Sequence, residues 1–159
     1  MARLDERDAE HLRRAMVLAR QARERGNDPF GAVLVGGDGR LLAEGQNTVN
    51  TGRDVTGHAE TNLVRDAFRS LDAGTLAAST LYASAEPCAM CSGAIFWTGV
   101  GRVVYGLSAN RIYEMFPPDA ENPVMRLPCR EVLAAGTRRT EVVGPALEEE
   151  AERVLEDRA

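Results

Sequence analysis

Two short stretches, His58-Ala59-Glu60 and Pro87-Cys88-Ala89-Met90-Cys91, constrain this chain more than any other feature. Together they hold one imidazole, two thiols and a carboxyl, enough for three soft-to-borderline metal ligands and a proton carrier. Structural zinc normally takes four protein ligands, whereas catalytic zinc takes three and leaves one position for water. Three are on offer here. A fold that uses them must bring the segment opening at His58 against the segment opening at Cys88.

Cys88 and Cys91 stand three residues apart and share one face of a helix. At a helix start the partial positive charge of the backbone favours their thiolates. Two thiolates and a neutral imidazole balance the charge of Zn2+, and a water at the open position would ionise near neutral pH. Glu60, two residues past His58, points to a different side of its helix and reads as a general base, not a ligand. Other readings of Cys-x-x-Cys are a redox pair and a closed structural zinc. The closed site would need Cys129 or His11 as a fourth ligand, and neither has ligand-like spacing.

The 159 residues suffice for one domain, spanning 1–159, with a substantial core. At 44% hydrophobic and 27% charged residues the composition is that of a globular chain. No apolar run approaches the roughly 18 residues of a membrane span. The first eight residues are charged, so no secretory signal is visible and a cytoplasmic location is expected. There, three cysteines do not imply disulfides, and Cys129 reads as a structural thiol. Net charge is −5, every cation is Arg, and Glu148-Glu149-Glu150-Ala151-Glu152 makes the tail acidic. That balance argues against a nucleic-acid partner.

Hydrophobic periodicity predicts a helix over residues 8–25, then strands over 30–35 and 41–47 joined by the turn Gly36-Gly37-Asp38-Gly39. A helix over 58–71, a strand over 79–83, a helix over 88–97 opened by Pro87, and a strand over 102–105 follow. Residues 106–128 read as loop with one helical turn at 112–115. A short helix at 130–135, a strand at 140–143 and a helix over 145–157 complete the chain. Interleaved strands and helices give an α/β layered domain with a mixed sheet covered on both faces.

The paired motifs resemble the zinc site of the cytidine deaminase-like superfamily, whose signature is His-x-Glu followed by Pro-Cys-x-x-Cys. The resemblance covers about residues 29–107, and the run from Glu86 to Trp97 is similar to the guanine deaminase and nucleoside deaminase branch. It implies a three-layer α/β/α fold with a mixed five-stranded sheet, Zn2+ held by His58, Cys88 and Cys91, and hydrolytic deamination with Glu60 carrying the proton. It further implies that Asn47 orients the base, that Phe30 walls the pocket, and that backbone amides at Ala59 and Cys88 hold base or oxyanion. A homodimer is implied too, with Ile95, Phe96 and Trp97 supplying part of the contact.

Within the superfamily a small guanine-type substrate (guanine, guanosine or an amino-triazine), and with it purine metabolism, is the leading expectation. Cytosine or cytidine, adenosine in tRNA, and a non-enzymatic zinc-stabilised module associated with nucleic acid are the alternatives. The tRNA branch usually continues in a more basic manner where Phe96-Trp97-Thr98 stands. Guanine deaminases tend to complete the pocket with acidic and aromatic residues near the C-terminus. Residues 110–129 match that pattern only loosely, with Glu114 as a candidate second proton carrier and Tyr113 and Asp119 as weaker ones.

Overall fold

The computed structural model describes residues 4–157; residues 1–3 and 158–159, at the ends of the expected domain, lie outside the described residues. Strands β1 (Gly31–Val35), β2 (Leu41–Gln46), β3 (Thr80–Ala85), β4 (Arg102–Leu107) and β5 (Glu141–Val143) form one mixed sheet of order β2-β1-β3-β4-β5. β1 is antiparallel to both neighbours, while β3, β4 and β5 run parallel. The mixed five-stranded architecture expected from the sequence is therefore present.

All five residues of β1 are buried because both faces of the sheet are covered. Successive strand side chains point to opposite faces. Ala32, Leu34, Leu81, Ala83 and Val103 meet helices α3 (Ala59–Ser70), α5 (Ala89–Thr98) and α7 (Cys129–Ala134) through Leu63, Val64, Ile95 and Leu133. On the other face Val33, Val35, Tyr82 and Val104 meet α1 (Glu6–Glu24) and α8 (Glu148–Glu156) through Leu12, Met16, Ala19, Val154 and Leu155. Three layers result.

A reciprocal capping box opens α1: Asp5 accepts from the Asp8 N–H at 2.8 Å, and Asp8 accepts from the Asp5 N–H at 3.1 Å. Asp8 also receives both guanidinium nitrogens of Arg102, at 2.7 and 2.9 Å, and the Tyr82 hydroxyl at 2.7 Å. This buried carboxylate pins the first turn of α1 to β3 and β4.

Two short helices, α2 (Val49–Gly52) and α4 (Ala73–Ala77), occupy stretches with no predicted element. Helix α6 (Ala109–Met115) is longer than the turn predicted, because Ser108 caps it by accepting from the Arg111 N–H at 3.2 Å. The last helix begins at Glu148, not Pro145, because the Ala146 N–H is bound to the Gly106 carbonyl and Leu147 turns left-handed. Among the described residues no helix is long and apolar enough to cross a membrane.

Candidate active site

Both motifs sit at the start of a helix: the Cys88 motif directly after β3, and His58 after the α2 turn that follows β2. His58 is the N-cap of α3 and Cys88 the N-cap of α5, each with extended backbone. Neither is the first helical residue, as the sequence suggested, and Cys91 alone of the three lies within a helix. Gly45 on β2 makes the approach possible: a Cβ there would lie 2.3 Å from the Ala59 carbonyl oxygen, so only glycine lets the first turn of α3 pack against the strand.

The loop into His58 is tied down by side chains of α3 and the preceding turn. The Asn62 amide donates to the Gln46 carbonyl and the Thr48 hydroxyl, each at 2.9 Å. The Thr48 N–H donates to the Gly57 carbonyl at 2.8 Å, and the Thr61 hydroxyl reaches the His58 carbonyl at 3.0 Å. Across the layer, the Ser92 hydroxyl donates to the Pro87 carbonyl at 3.3 Å.

These supports place His58 Nδ1 3.5 Å from Cys88 Sγ and 3.4 Å from Cys91 Sγ. The three donor atoms lie within 4.8 Å of one another and are the only such His/Cys/Asp/Glu group found among the described residues. One imidazole nitrogen and two sulfurs converging in this way fit zinc. The three donors also shift one another's proton affinities. The Cys91 thiol donates to Cys88, which with help from His58 falls to about 4 despite its burial. That same bond to Cys88, then burial, drives Cys91 upward, and Cys88 raises His58. A divalent cation would take the place of these protons.

Glu60, in the first turn of α3, is 5% exposed and outside the three-donor group. Burial raises its carboxyl, and a hydrogen bond with the Cys91 thiol opposes the rise. A carboxyl buried against a ligand and shifted upward suits a group that must both accept and release a proton.

Asn47 leaves the end of β2 and is buried. Its N–H donates to the Phe30 carbonyl at 3.1 Å, so the two expected substrate contacts are fixed to each other. Its Oδ1 accepts from the Val49 N–H at 3.1 Å, which orients the amide and leaves the NH2 group without a hydrogen-bond partner among the described residues. Phe30 is half-buried at the edge of both cores. Ala59 is fully buried at the first position of α3, where a helix leaves its N–H groups open.

Glu114, the candidate second proton carrier, lies on α6. Its side chain is 66% exposed and paired with Arg111 at 3.1 Å, and Arg111 is also bound to Glu152 on α8. The carboxylate is engaged at the surface and does not belong to the metal-ligating group. Asp119 accepts from the N–H groups of Glu121 and Asn122 and so closes its own loop. Tyr113 donates to the Met125 carbonyl at 3.2 Å and lines a cavity of about 260 Å3 with Glu86, Asn110 and Arg126. Cys129 is buried, and burial pushes its thiol up to about 12, as suits a structural cysteine. His11 packs against Tyr82 with the rings tilted by 45° and their centroids 5.1 Å apart, and takes no part in the donor group.

Two carboxylates passed over in the sequence belong to the surroundings. The charge of Asp28, beside Pro29-Phe30, adds to the upward shift of His58 after Cys88 and Glu60, while burial opposes that shift. Glu86 precedes Pro87 and accepts backbone N–H groups from distant segments. Proximity to the motifs was their only sequence signal.

Residues 5–107 match the family described as the cytidine and deoxycytidylate deaminase zinc-binding region. The chain is 40% identical over 151 residues to a probable cytosine deaminase of Schizosaccharomyces pombe, covering 93% of this chain and 90% of the relative. It is 47% identical over 95 residues to a guanine deaminase of Bacillus subtilis, covering 59% and 60%. The structure of a guanine deaminase from Nitrosomonas europaea superposes with a TM-score of 0.77 at 26% identity, covering 99% of this chain and 86% of that one. tRNA-specific adenosine deaminases are also among the relatives. The chain therefore belongs to the zinc-binding cytidine and deoxycytidylate deaminase family and is an aminohydrolase of the cytidine deaminase-like fold.

Proposed function

We propose that the chain acts as a single zinc-dependent domain that hydrolyses the exocyclic amine of a small guanine-type base or nucleoside. The reaction exchanges amine for oxygen: base and water give the oxo base and ammonia. The observation that carries this reading is the buried Glu60 carboxyl set against Cys91, beside three converging donors and near the end of the strand that presents Asn47. His58, Cys88 and Cys91 would hold the zinc. When bound, zinc acts as a Lewis acid that makes water a competent nucleophile near neutral pH.

Glu60 accepts one proton of the attacking water and passes it to a ring nitrogen, then takes the remaining hydroxyl proton of the adduct and delivers it to the amine, which leaves as ammonia while the C=O bond forms. Its burial keeps the carboxyl's affinity for the proton high enough to serve both steps. Asn47 offers its free NH2 group to a ring carbonyl, while Phe30 supplies an apolar wall. The N–H groups of Ala59 and Cys88, at two helix starts, hold base or developing oxyanion.

Guanine-type substrates are favoured by the stretch from Glu86 to Trp97 and by the near full-length likeness to a guanine deaminase structure. Cytosine is the second reading, favoured by a cytosine-type relative that extends through the tail. The net charge of −5 and the acidic α8 count against tRNA. A homodimer through the α3 and α5 face fits the exposure of Phe68 (62%) and Trp97 (79%), and a cytoplasmic location fits three free cysteines. Ammonia release from guanine, guanosine, deoxyguanosine, ammeline, cytosine, cytidine, adenine and adenosine tests the substrate. Fastest turnover of a guanine-type compound is expected; fastest turnover of cytosine or cytidine would replace this reading with the second.

A further inference from the structure

The segment between β4 and β5 carries Tyr113 and the rest of the wall over the 260 Å3 cavity, yet it has little regular structure of its own. Something must hold it against the metal-ligand loop. Among the described residues Glu86 is the only carboxylate lining that cavity. Its own position is fixed by the sheet, since its N–H donates to the Leu107 carbonyl at 2.8 Å and extends the β3–β4 ladder by one rung. Pro87 and Cys88 follow directly.

From that fixed point the Glu86 carboxylate reaches two separate pieces of the segment. Oε1 accepts from the Ala109 N–H at 3.4 Å, at the first residue of α6. Oε2 accepts from the Cys129 N–H at 3.3 Å, at the first residue of α7. Between these anchors the segment is braced by the Tyr113 bond to Met125 and by Arg126, whose guanidinium carbon lies 5.3 Å from the Tyr113 ring centroid. Both anchored helices are short, seven and six residues, and so rely on tertiary contacts for their placement. Burial raises the Tyr113 phenol, and the charges of Glu86 and Cys88 add to the rise, as expected if the ring faces the metal loop.

We propose that Glu86 is a positioning residue: one carboxylate clamps the starts of α6 and α7 to the metal-ligand loop and thereby sets where the segment carrying Tyr113 lies relative to that loop. It touches neither metal nor substrate. Its effect falls on how well the base is held, through the helices it fixes. The inference rests on the reading of Glu60 and the three donors as the catalytic centre.

The test uses Glu86→Gln and Glu86→Ala in the zinc-loaded protein. Glutamine has the same length but one acceptor oxygen, so it satisfies one of the two N–H groups and sets an NH2 against the other. Three quantities are read: zinc per chain, hydrogen exchange by segment, and kcat and KM with guanine. In Glu86→Gln, one zinc is retained, and exchange quickens about tenfold in residues 108–116 and 128–134 but not in 59–70. KM rises roughly tenfold while kcat changes less, the scale of one lost charge-assisted hydrogen bond. Glu86→Ala shows the same pattern more strongly, and if it does not fold the glutamine variant decides. Unchanged exchange in both segments overturns the proposal. So does a fall in kcat at constant KM, which would put Glu86 on the reacting atoms, or loss of zinc, which would make it a support of the metal loop. Exchange is read without turnover, so failure of the clamp is distinguishable from failure of the catalytic assignment, which Glu60→Gln tests.

Discussion

Replacing Asp8 by Asn removes the charge at the junction of α1, β3 and β4 while preserving size. Burial alone would raise the Asp8 carboxyl. Hydrogen bonds from Arg102, Tyr82 and the Asp5 N–H outweigh it and hold the group down, at about 2 against an ordinary 3.8. The side chain is 5% exposed, so solvent screening is slight. A depression of that size corresponds to about 2–3 kcal/mol of folding stability at neutral pH. Arg102 keeps only the more distant Glu141, at 3.5 Å, in the variant. For a chain of this length the loss lowers Tm by about 5–10 °C.

The pH dependence follows from the sign of the shift. A carboxyl depressed in the folded state stabilises fully above its unfolded pKa of 3.8 and loses that contribution as pH falls toward about 2. Urea denaturation of both proteins from pH 8 down to pH 3 reads the difference. Acid sensitivity of the metal ligands is common to both and cancels. A constant gap of about 2–3 kcal/mol above pH 5, narrowing below pH 4, is expected. A gap under about 1 kcal/mol at pH 7, or one that widens in acid, refutes the reasoning.

Gly45→Ala drives a methyl into the Ala59 carbonyl, a backbone atom that cannot step aside. The first turn of α3 then moves with His58 and Glu60, lowering stability by about 1–3 kcal/mol and reducing turnover; wild-type melting and ammonia release would contradict this. Asn47→Ala removes the free NH2 and leaves the Val49 N–H without its acceptor. kcat/KM should fall roughly 5- to 30-fold, and steady-state kinetics with unchanged kcat/KM would clear Asn47 of a binding role. Cys88→Ala leaves two donors, so zinc binds roughly tenfold or more weakly and Tm falls with it. One full equivalent of zinc in that variant, by metal analysis, would remove Cys88 from the ligand set.

Most of the fold was legible because its elements carry local signals. The buried run of β1, the glycine turn after it, and the Leu12, Ala15, Met16, Ala19 spacing of α1 each specify their element without help. Helices α2 and α4 lack an apolar stripe. The first owes its place to Asn27, whose Oδ1 accepts from the N–H groups of Asn50 and Thr51, and the second to a cap by Asp72. The start of α8 was misread because its boundary is set by Gly106, a strand residue about forty positions away.

The convergence of His58, Cys88 and Cys91 was legible from spacing and chemistry, whereas the surroundings were not. The Arg111 pairing of Glu114 has no counterpart in the spacing that singled Glu114 out. Glu86 and Asp28 take their roles from what they approach in space. No periodicity or spacing records that the N–H groups of Ala109 and Cys129 arrive at one carboxylate.

The most direct test of the catalytic assignment is turnover of Glu60→Gln measured alongside its zinc content. Glutamine keeps the size of the side chain but cannot carry the proton. Ammonia release should fall by roughly 100- to 10,000-fold while one zinc per chain and the wild-type melting temperature are retained. Turnover within about tenfold of wild type would contradict Glu60 as the proton carrier. Loss of zinc in the same variant would contradict its place outside the donor set.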